Sequence, residues 1–434
     1  MHDFGVVSSS RWRGWVLGFA VFLLPALSIA VPSGYSWGAG LLVLLGIAAW
    51  PGALRHLHAW PRDLHRWALC AGGMGLVWTL HTYVDGQWLM RTLGVDRSLK
   101  YLLLLLALPA VLGGLPRIDA LRWGCWVGAL LAGAMAAWQW LWLGLDRAAG
   151  HTNAIQFGNL ALLLALWSWI WVRASTTGIE RMVGYAAVLA GGFASLASGS
   201  RGGWLVAPVL VALVWWLDRQ GSSPARRDAP RGRVPRWAKA ALGALLLCLA
   251  AALLPPVQQR VNEAVSEVQA FRTQGQSMTS VGHRLAHWQL AWRLGLERPW
   301  LGWGQVDYEA RKHAAVVAGE TPPVVEQFNH AHNEWLDMFA KRGLVGVLAL
   351  AAFLAIPGAC YARALRQPAG DGLEVRERAA LCGLVLVVGF AGFGLTQVMF
   401  AHNNGNMMYL FMNLLWLAAL VRPASQLSSG DHAH

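Results

Sequence analysis

The chain has 434 residues, of which 56% are hydrophobic and 13% charged, against the roughly 25% charged of a soluble domain. That polar fraction is too small to cover a water-soluble core of this length, which excludes an ordinary soluble enzyme. The formal charge of +13 does not indicate nucleic acid, because no basic stripe is interleaved with aromatics; arginines retained on the cytoplasmic side of a membrane account for it.

Apolar runs long enough to cross a hydrocarbon core about 30 Å thick recur along the whole length. A backbone in that environment must satisfy its own hydrogen bonds, so the runs are helical. They predict an all-α, polytopic integral membrane protein with about 12 transmembrane helices, near 13–31, 37–54, 66–83, 100–116, 122–143, 154–172, 182–198, 203–217, 238–255, 335–360, 379–399 and 404–421. The first run, Trp15 to Val31, is longer than a signal-peptide core and lacks a small-residue cleavage site, so it reads as a span. The 26 tryptophans suit membrane interfaces.

With the N-terminus inside, the alternating loops that hold Arg55, Arg62 and Arg66, then Arg117 and Arg122, then Arg173 and Arg181, fall on the cytoplasmic side. The basic loop Asp218–Lys239 and the group Arg363, Arg366, Arg376 and Arg378 join them. Three regions follow: 1–255 with helices 1–9, a periplasmic loop at 256–334, and 335–434 with helices 10–12 and a cytoplasmic C-terminus. The loop is helical. VQQRVNEAVSEVQAF and HRLAHWQLAWRLGLERPW both space apolar residues at helical intervals, and GWGQ breaks the second. None of Cys70, Cys125, Cys248, Cys360 and Cys382 lies in it, so no disulfide framework or thiolate metal site is expected there.

Three basic features reach the loop side. Arg201 sits in the small-residue turn ASGSRGGW, where its guanidinium could hold a phosphate in a forked geometry or simply flank a span. Arg284, in GHRLAHW with His283 and His287, opens an amphipathic helix; a cation there is unfavourable for the helix dipole unless an anion is near, although a solvated arginine is also possible. His330 and His332 precede Asn333, Glu334 and Asp337 at the lip of a span. A histidine can accept a proton near neutral pH, while Asn333 alternatively reads as a plain helix N-cap. The H-x-H pair lacks a third zinc ligand at recognisable spacing, so neither a metal nor a cofactor is expected. Lys341 and Arg342 are expected to snorkel to the interface. His402, Asn403 and Asn404 share the same face, as a cleft lining or an interfacial turn.

The segments GSRGGW, HR…W…A…RPWLGWG and HAHNEWLDMFAKRGLVG, in this order and on one side of the membrane, resemble the bacterial O-antigen ligase and polymerase-like membrane glycosyltransferases, the lipopolysaccharide O-antigen ligases above all. The resemblance implies a periplasm-facing enzyme of the bacterial inner membrane. It would move a polysaccharide from undecaprenyl diphosphate to lipid A–core, inverting and metal-independent, without a nucleotide sugar. It assigns Arg201 and Arg284 to the diphosphate and His332 to the general base, with His330 and Asn333 beside it. Arg91, Arg97, Lys100 and His151 would add phosphate contacts. An O-antigen polymerase is the nearest alternative. A cell-shape peptidoglycan polymerase would use an acidic loop residue, for which Glu263, Glu267 and Asp307 are available. A lipid-linked glycan flippase would place its charges mid-span on facing helices instead.

Overall fold

Helices account for every regular element among the residues described by the computed structural model, 11–84, 93–115, 117–175, 177–221, 255–366 and 373–421. They are α1 (Arg11–Leu27), α2 (Tyr35–Arg55), α3 (Arg62–Val84), α4 (Leu93–Ala107), α5 (Ile118–Ala137), α6 (Ala154–Val172), α7 (Gly178–Ala197) and α8 (Arg201–Gly221). The chain continues with α9 (Pro255–Gln274), α10 (Ser280–Glu297), α11 (Val306–Val317), α12 (Glu334–Arg366), α13 (Leu373–Phe393) and α14 (Asn403–Ala419). Among the described residues, four stretches are long and apolar enough to cross a membrane: Tyr35–Arg55, Ile118–Trp142, Ala154–Val172 and Glu334–Arg366. Trp12–Leu27 and Arg201–Trp215 are shorter apolar helices. The expected ninth span, 238–255, lies outside the described residues but for its last position, as do Arg91, Cys248 and nearly all of the basic loop.

Two helices form the centre. α6 (AIQFGNLALLLALWSWIWV) is apolar on every side, and all but three of its nineteen residues are buried; a helix apolar all round must be enclosed. α14 is buried from Asn404 to Ala418 and touches α1, α2, α3, α4, α6, α12 and α13. Around them the outer helices leave Leu44, Leu69, Leu76, Leu189, Leu205 and Leu348 exposed, a perimeter suited to lipid. Small residues draw neighbouring helices together, as expected where lipid supplies no hydrophobic drive: α1 packs on α5, and α5 and α6 on α7.

Residues 255–333 form a folded layer with its own core. Ala286, Leu290 and Leu294 of α10, Tyr308 and Ala315 of α11, and Val324, Val325 and Ala331 bury each other, with Ala340 of α12 beneath. α11 is a third helix there, beyond the two whose periodicity the sequence displays.

α12 is two helices joined at Gly343, which adopts φ 60°, ψ −158°, a region essentially reserved for glycine. The loop RPWLGWG lies across this break. Leu344 N donates to Pro299 O (2.7 Å), Val345 N to Trp300 O (3.2 Å), Trp303 N to Ala340 O (3.0 Å) and Gly304 N to Lys341 O (2.8 Å). A Cβ on Gly343 would stand 2.3 Å from the Trp300 carbonyl carbon. Two of the sequence segments shared with the glycosyltransferases therefore meet as a backbone lock. The expected span 335–360 is accordingly interrupted about two turns after it begins.

Lys341 and Arg342 do not snorkel. Lys341 is 1% exposed and pairs with Asp337 at 2.7 Å, while Arg342 is 4% exposed with its guanidinium 3.6 Å over the Trp78 ring. Both precede the kink, so their side chains turn into the protein instead of running along a straight helix to the interface.

Candidate active site

The layer over the bundle and the ends of α6, α13 and α14 enclose a cavity of about 410 Å³. Its lining includes Arg147, Asn153, His283, Arg284, Phe328, His330, His332, Gln397 and His402. They come from four parts of the chain: the turn before α6, α10, the loop before α12 and the turn before α14.

His332 has φ 51°, a left-handed conformation that costs a non-glycine residue about 1–3 kcal/mol and persists only where its surroundings impose it. Here they do. Lys312 Nζ donates to Phe328 O (2.8 Å) and Lys341 Nζ to Asn329 O (2.7 Å), while Asp337 Oδ1 accepts from Ala331 N (2.9 Å). Asn333 Oδ1 caps α12 by accepting from Trp335 N and Leu336 N at 3.0 and 3.1 Å, so the N-cap reading of this residue holds. Glu334 then ties α12 to the turn before α14: its backbone N–H donates to Gly394 O (2.7 Å) and its carboxylate accepts from Phe400 N (3.0 Å). That turn carries Gln397, whose Oε1 lies 3.2 Å from His332 Nδ1. An amide oxygen accepts only, so Nδ1 carries the proton and the lone pair sits on Nε2. His332 Nε2 has no hydrogen-bond partner in the protein.

Three further imidazoles crowd this ring, and a fourth adjoins His330. Ring centroids of His330 and His283 lie 4.4 and 4.9 Å from that of His332, and His287 lies 5.6 Å away; His402 is 5.7 Å from His330. Burial, then the neighbouring His283 and Arg284, push His332 down to about 3. Burial and then His332 push His330 down to about 2, and burial and then His283 push His287 down to about 3. The cluster is uncharged at neutral pH, and each member is a lone-pair donor. His287 is fully buried, yet neither ring nitrogen has a protein partner, which leaves a polar group at a cost of about 1–3 kcal/mol. α10 brings two imidazoles to one member of the H-x-H pair: one ring nitrogen from each of His283, His287 and His332 lies within 4.8 Å of the others.

Arginines form the opposite wall. Arg284 Nη1 donates to Ser280 Oγ and to its carbonyl, each at 3.0 Å. Burial, then Arg201, then Arg147 lower its affinity for a proton; partial burial and then Arg201 do the same to Arg147. Three guanidinium groups therefore repel one another here. Arg147 Nε donates to Ser198 O at 2.7 Å, against the turn at Gly199 (φ 61°), where a side chain would meet that guanidinium. The small residues of SGSRGG pack inward rather than opening backbone N–H groups: Ser198 and Ser200 are buried, and Ser200 Oγ donates to Asn159 Oδ1 at 3.1 Å. Arg201 adjoins the cavity wall without lining it, and faces Glu263 (3.7 Å) and Glu267 (3.9 Å) of α9. Glu267 also accepts from Val281 N (2.8 Å) at the start of α10, so a resident carboxylate already offsets Arg284 against the helix dipole.

Arg284, His330 and His332 of the expected site line the cavity, and Arg201 stands beside them. Arg97, Lys100, His151 and Asn333 are not among the lining residues. Arg97 stacks over Trp78 and Lys100 pairs with Asp96 one turn earlier. Arg147 and Gln397 were missed from the sequence. Their only signals are a basic residue in a turn between apolar runs and a lone amide between α13 and α14.

Fold and site together define a multi-pass membrane protein, helical throughout the described residues, with a cationic, histidine-rich cavity. Residues 185–351 match the family described as O-antigen ligase, a span that holds Arg201, Arg284 and His332. The chain is also similar to an uncharacterised protein of Haemophilus influenzae, 25% identical over 295 residues that cover 67% of this chain and 70% of that one. Over residues 185–351, then, the chain is similar to the O-antigen ligase family.

Proposed function

We propose that the protein is an inner-membrane glycosyltransferase that moves a polysaccharide from undecaprenyl diphosphate to lipid A–core, with about twelve spans and its cavity open to the periplasm. The observation that supports this reading best is one cavity with guanidinium groups on one wall and a lone-pair imidazole nitrogen on the other. The donor's diphosphate gains negative charge as its bond to the anomeric carbon breaks. Preorganised Arg284 and Arg147, with Arg201 behind them, stabilise that charge more in the transition state than in the ground state. A phosphate oxygen also offers Arg201 a stronger partner than the 3.7 and 3.9 Å contacts it makes with Glu263 and Glu267.

The acceptor hydroxyl gives its proton to His332 Nε2 while its oxygen attacks the anomeric carbon. The C–O electron pair leaves with undecaprenyl diphosphate, so one bond forms, one breaks, and the configuration inverts. Gln397 holds the tautomer that leaves Nε2 free. An anion beside Arg284 raises the low basicity of His332 by cancelling a charge that depresses it. The diphosphate is a good leaving group and needs no carboxylic acid, unlike a glycosidic alcohol. The arginines meet its charge without a divalent cation.

The test mixes purified protein, undecaprenyl-diphosphate-linked glycan and rough lipopolysaccharide with EDTA and no nucleotide. A high-molecular-weight ladder on lipopolysaccharide is expected, with a loss of about 10²–10⁴-fold for His332→Ala. An unchanged ladder from His332→Ala would refute the base. Glycan lengthening without lipopolysaccharide would identify a polymerase.

A further inference from the structure

His283 and His287 stand one helical turn apart on α10, the spacing at which two imidazoles on one face share a metal ion. The left-handed loop brings His332 against them, so that one nitrogen from each lies within 4.8 Å of the others. Tetrahedral coordination at about 2.0–2.1 Å places nitrogens about 3.3 Å apart, so binding requires the three to close by at most about 1.5 Å. Two further observations point to a ligand. His287 is fully buried with both ring nitrogens unpartnered, and His283 Nε2 and His332 Nε2 are likewise unpartnered. Gln397 on His332 Nδ1 is the outer hydrogen bond that ordinarily fixes a metal-binding imidazole in its tautomer.

We propose that His283, His287 and His332 bind a first-row transition dication such as Zn²⁺, and that the bound ion arrests glycosyl transfer by occupying His332 Nε2. The donor set selects the metal. Three imidazoles and no carboxylate suit Zn²⁺, Cu²⁺ or Ni²⁺ and leave Mg²⁺ and Ca²⁺, which require oxygen, unbound. The nearest carboxylate, Asp337, is held by Lys341 and Ala331 N. The imidazoles are already neutral, so no proton has to be displaced from the donating nitrogens. Three protein ligands leave a fourth position for water, and the same lone pair cannot serve both the metal and the acceptor's proton. The arrest rests on the role proposed above for His332; the metal site does not.

The experiment uses full-length, tag-free protein in detergent, stripped with EDTA and desalted. Zn²⁺ is titrated by calorimetry, and bound metal is counted by mass spectrometry after gel filtration. One more Zn²⁺ is expected in the wild type than in His287→Gln or His283→Asn, with affinity at the site falling by more than the roughly 10–100-fold that outer-shell changes cost. Co²⁺ should give the visible absorption of a tetrahedral nitrogen site in the wild type only, and Mg²⁺ should give no signal. Saturating Zn²⁺ should lower transfer by about 10²–10⁴-fold, reversibly with EDTA, and the rate of His287→Gln should be the same with and without Zn²⁺. Equal Zn²⁺ in wild type and both variants overturns the site, and Zn²⁺ bound there without loss of transfer overturns the arrest. Absence of transfer by the metal-free wild type would instead count against the proposed function, while the binding result stands on its own.

Discussion

Replacing Gly343 by alanine tests whether the backbone lock beneath the cavity is as demanding as its geometry implies. At φ 60°, ψ −158° the residue occupies a region that costs any side-chain-bearing residue about 1–3 kcal/mol. The new methyl would stand 2.3 Å from Trp300 C and 2.4 Å from Trp300 O, which are backbone atoms and cannot swing aside. Relief requires the loop to lift, at the expense of the bonds from Leu344 N to Pro299 O and from Val345 N to Trp300 O. Each is worth about 0.5–1.5 kcal/mol net, giving a destabilisation of about 2–6 kcal/mol in all. Gly302 presses from the other side, its would-be Cβ 2.3 Å from Lys341 C. Thermal unfolding of the detergent-purified protein, followed by tryptophan fluorescence, should show Gly343→Ala and Gly302→Ala melting well below the wild type. The double variant should cost less than the sum, because both open one contact. Gly192→Ala, whose Cβ would meet nothing within 4 Å, is the control. A Gly343→Ala protein that melts with the wild type would refute the lock.

Asp337→Asn leaves Lys341 buried without its counter-charge and should destabilise by about 3–5 kcal/mol, with much of this recovered by the Asp337→Asn, Lys341→Met pair in the same melting assay. Arg147→Lys keeps the charge but loses the planar fork, so kcat/KM for the lipid-linked donor should fall roughly 10–100-fold, read from initial rates at varied donor. Gln397→Leu removes the acceptor that orders His332 and should lower kcat by about 2–10-fold with KM for both substrates unchanged.

The bundle was legible where hydrophobic length alone decides the structure: α6 runs over 154–172, the expected bounds, because its apolar run ends at Asn153, an N-cap, and at Arg173. The break in α12 was not, since hydropathy averaged over a span passes through one glycine unchanged. The burial of Lys341 depends on Asn329 and on the loop above it, which periodicity does not report. His332, Arg284 and Arg201 stood out through resemblance, whereas Arg147 and Gln397 lie outside the matched 185–351 and acquire meaning only from tertiary neighbours. The three-histidine cluster was hidden for the same reason: two members sit on α10 and the third on a loop whose conformation the lysines impose.

The enclosed position of α14 bears on how the molecule is made. Every helix it touches precedes it in the chain, from α1 to α13. During synthesis those helices must therefore wait around a centre that α6 fills only in part until α14 emerges. Asn404, Asn406 and Asn413 make α14 a poor guest for lipid but a suitable one for a protein-lined slot, where Asn413 Oδ1 accepts from Tyr361 Oη at 2.9 Å and Asn404 donates to Ser28 O at 3.3 Å. Assembly of the bundle thus closes from the outside in, and a ribosome stalled before residue 403 would leave α1 and α12 without the helix that both pack against.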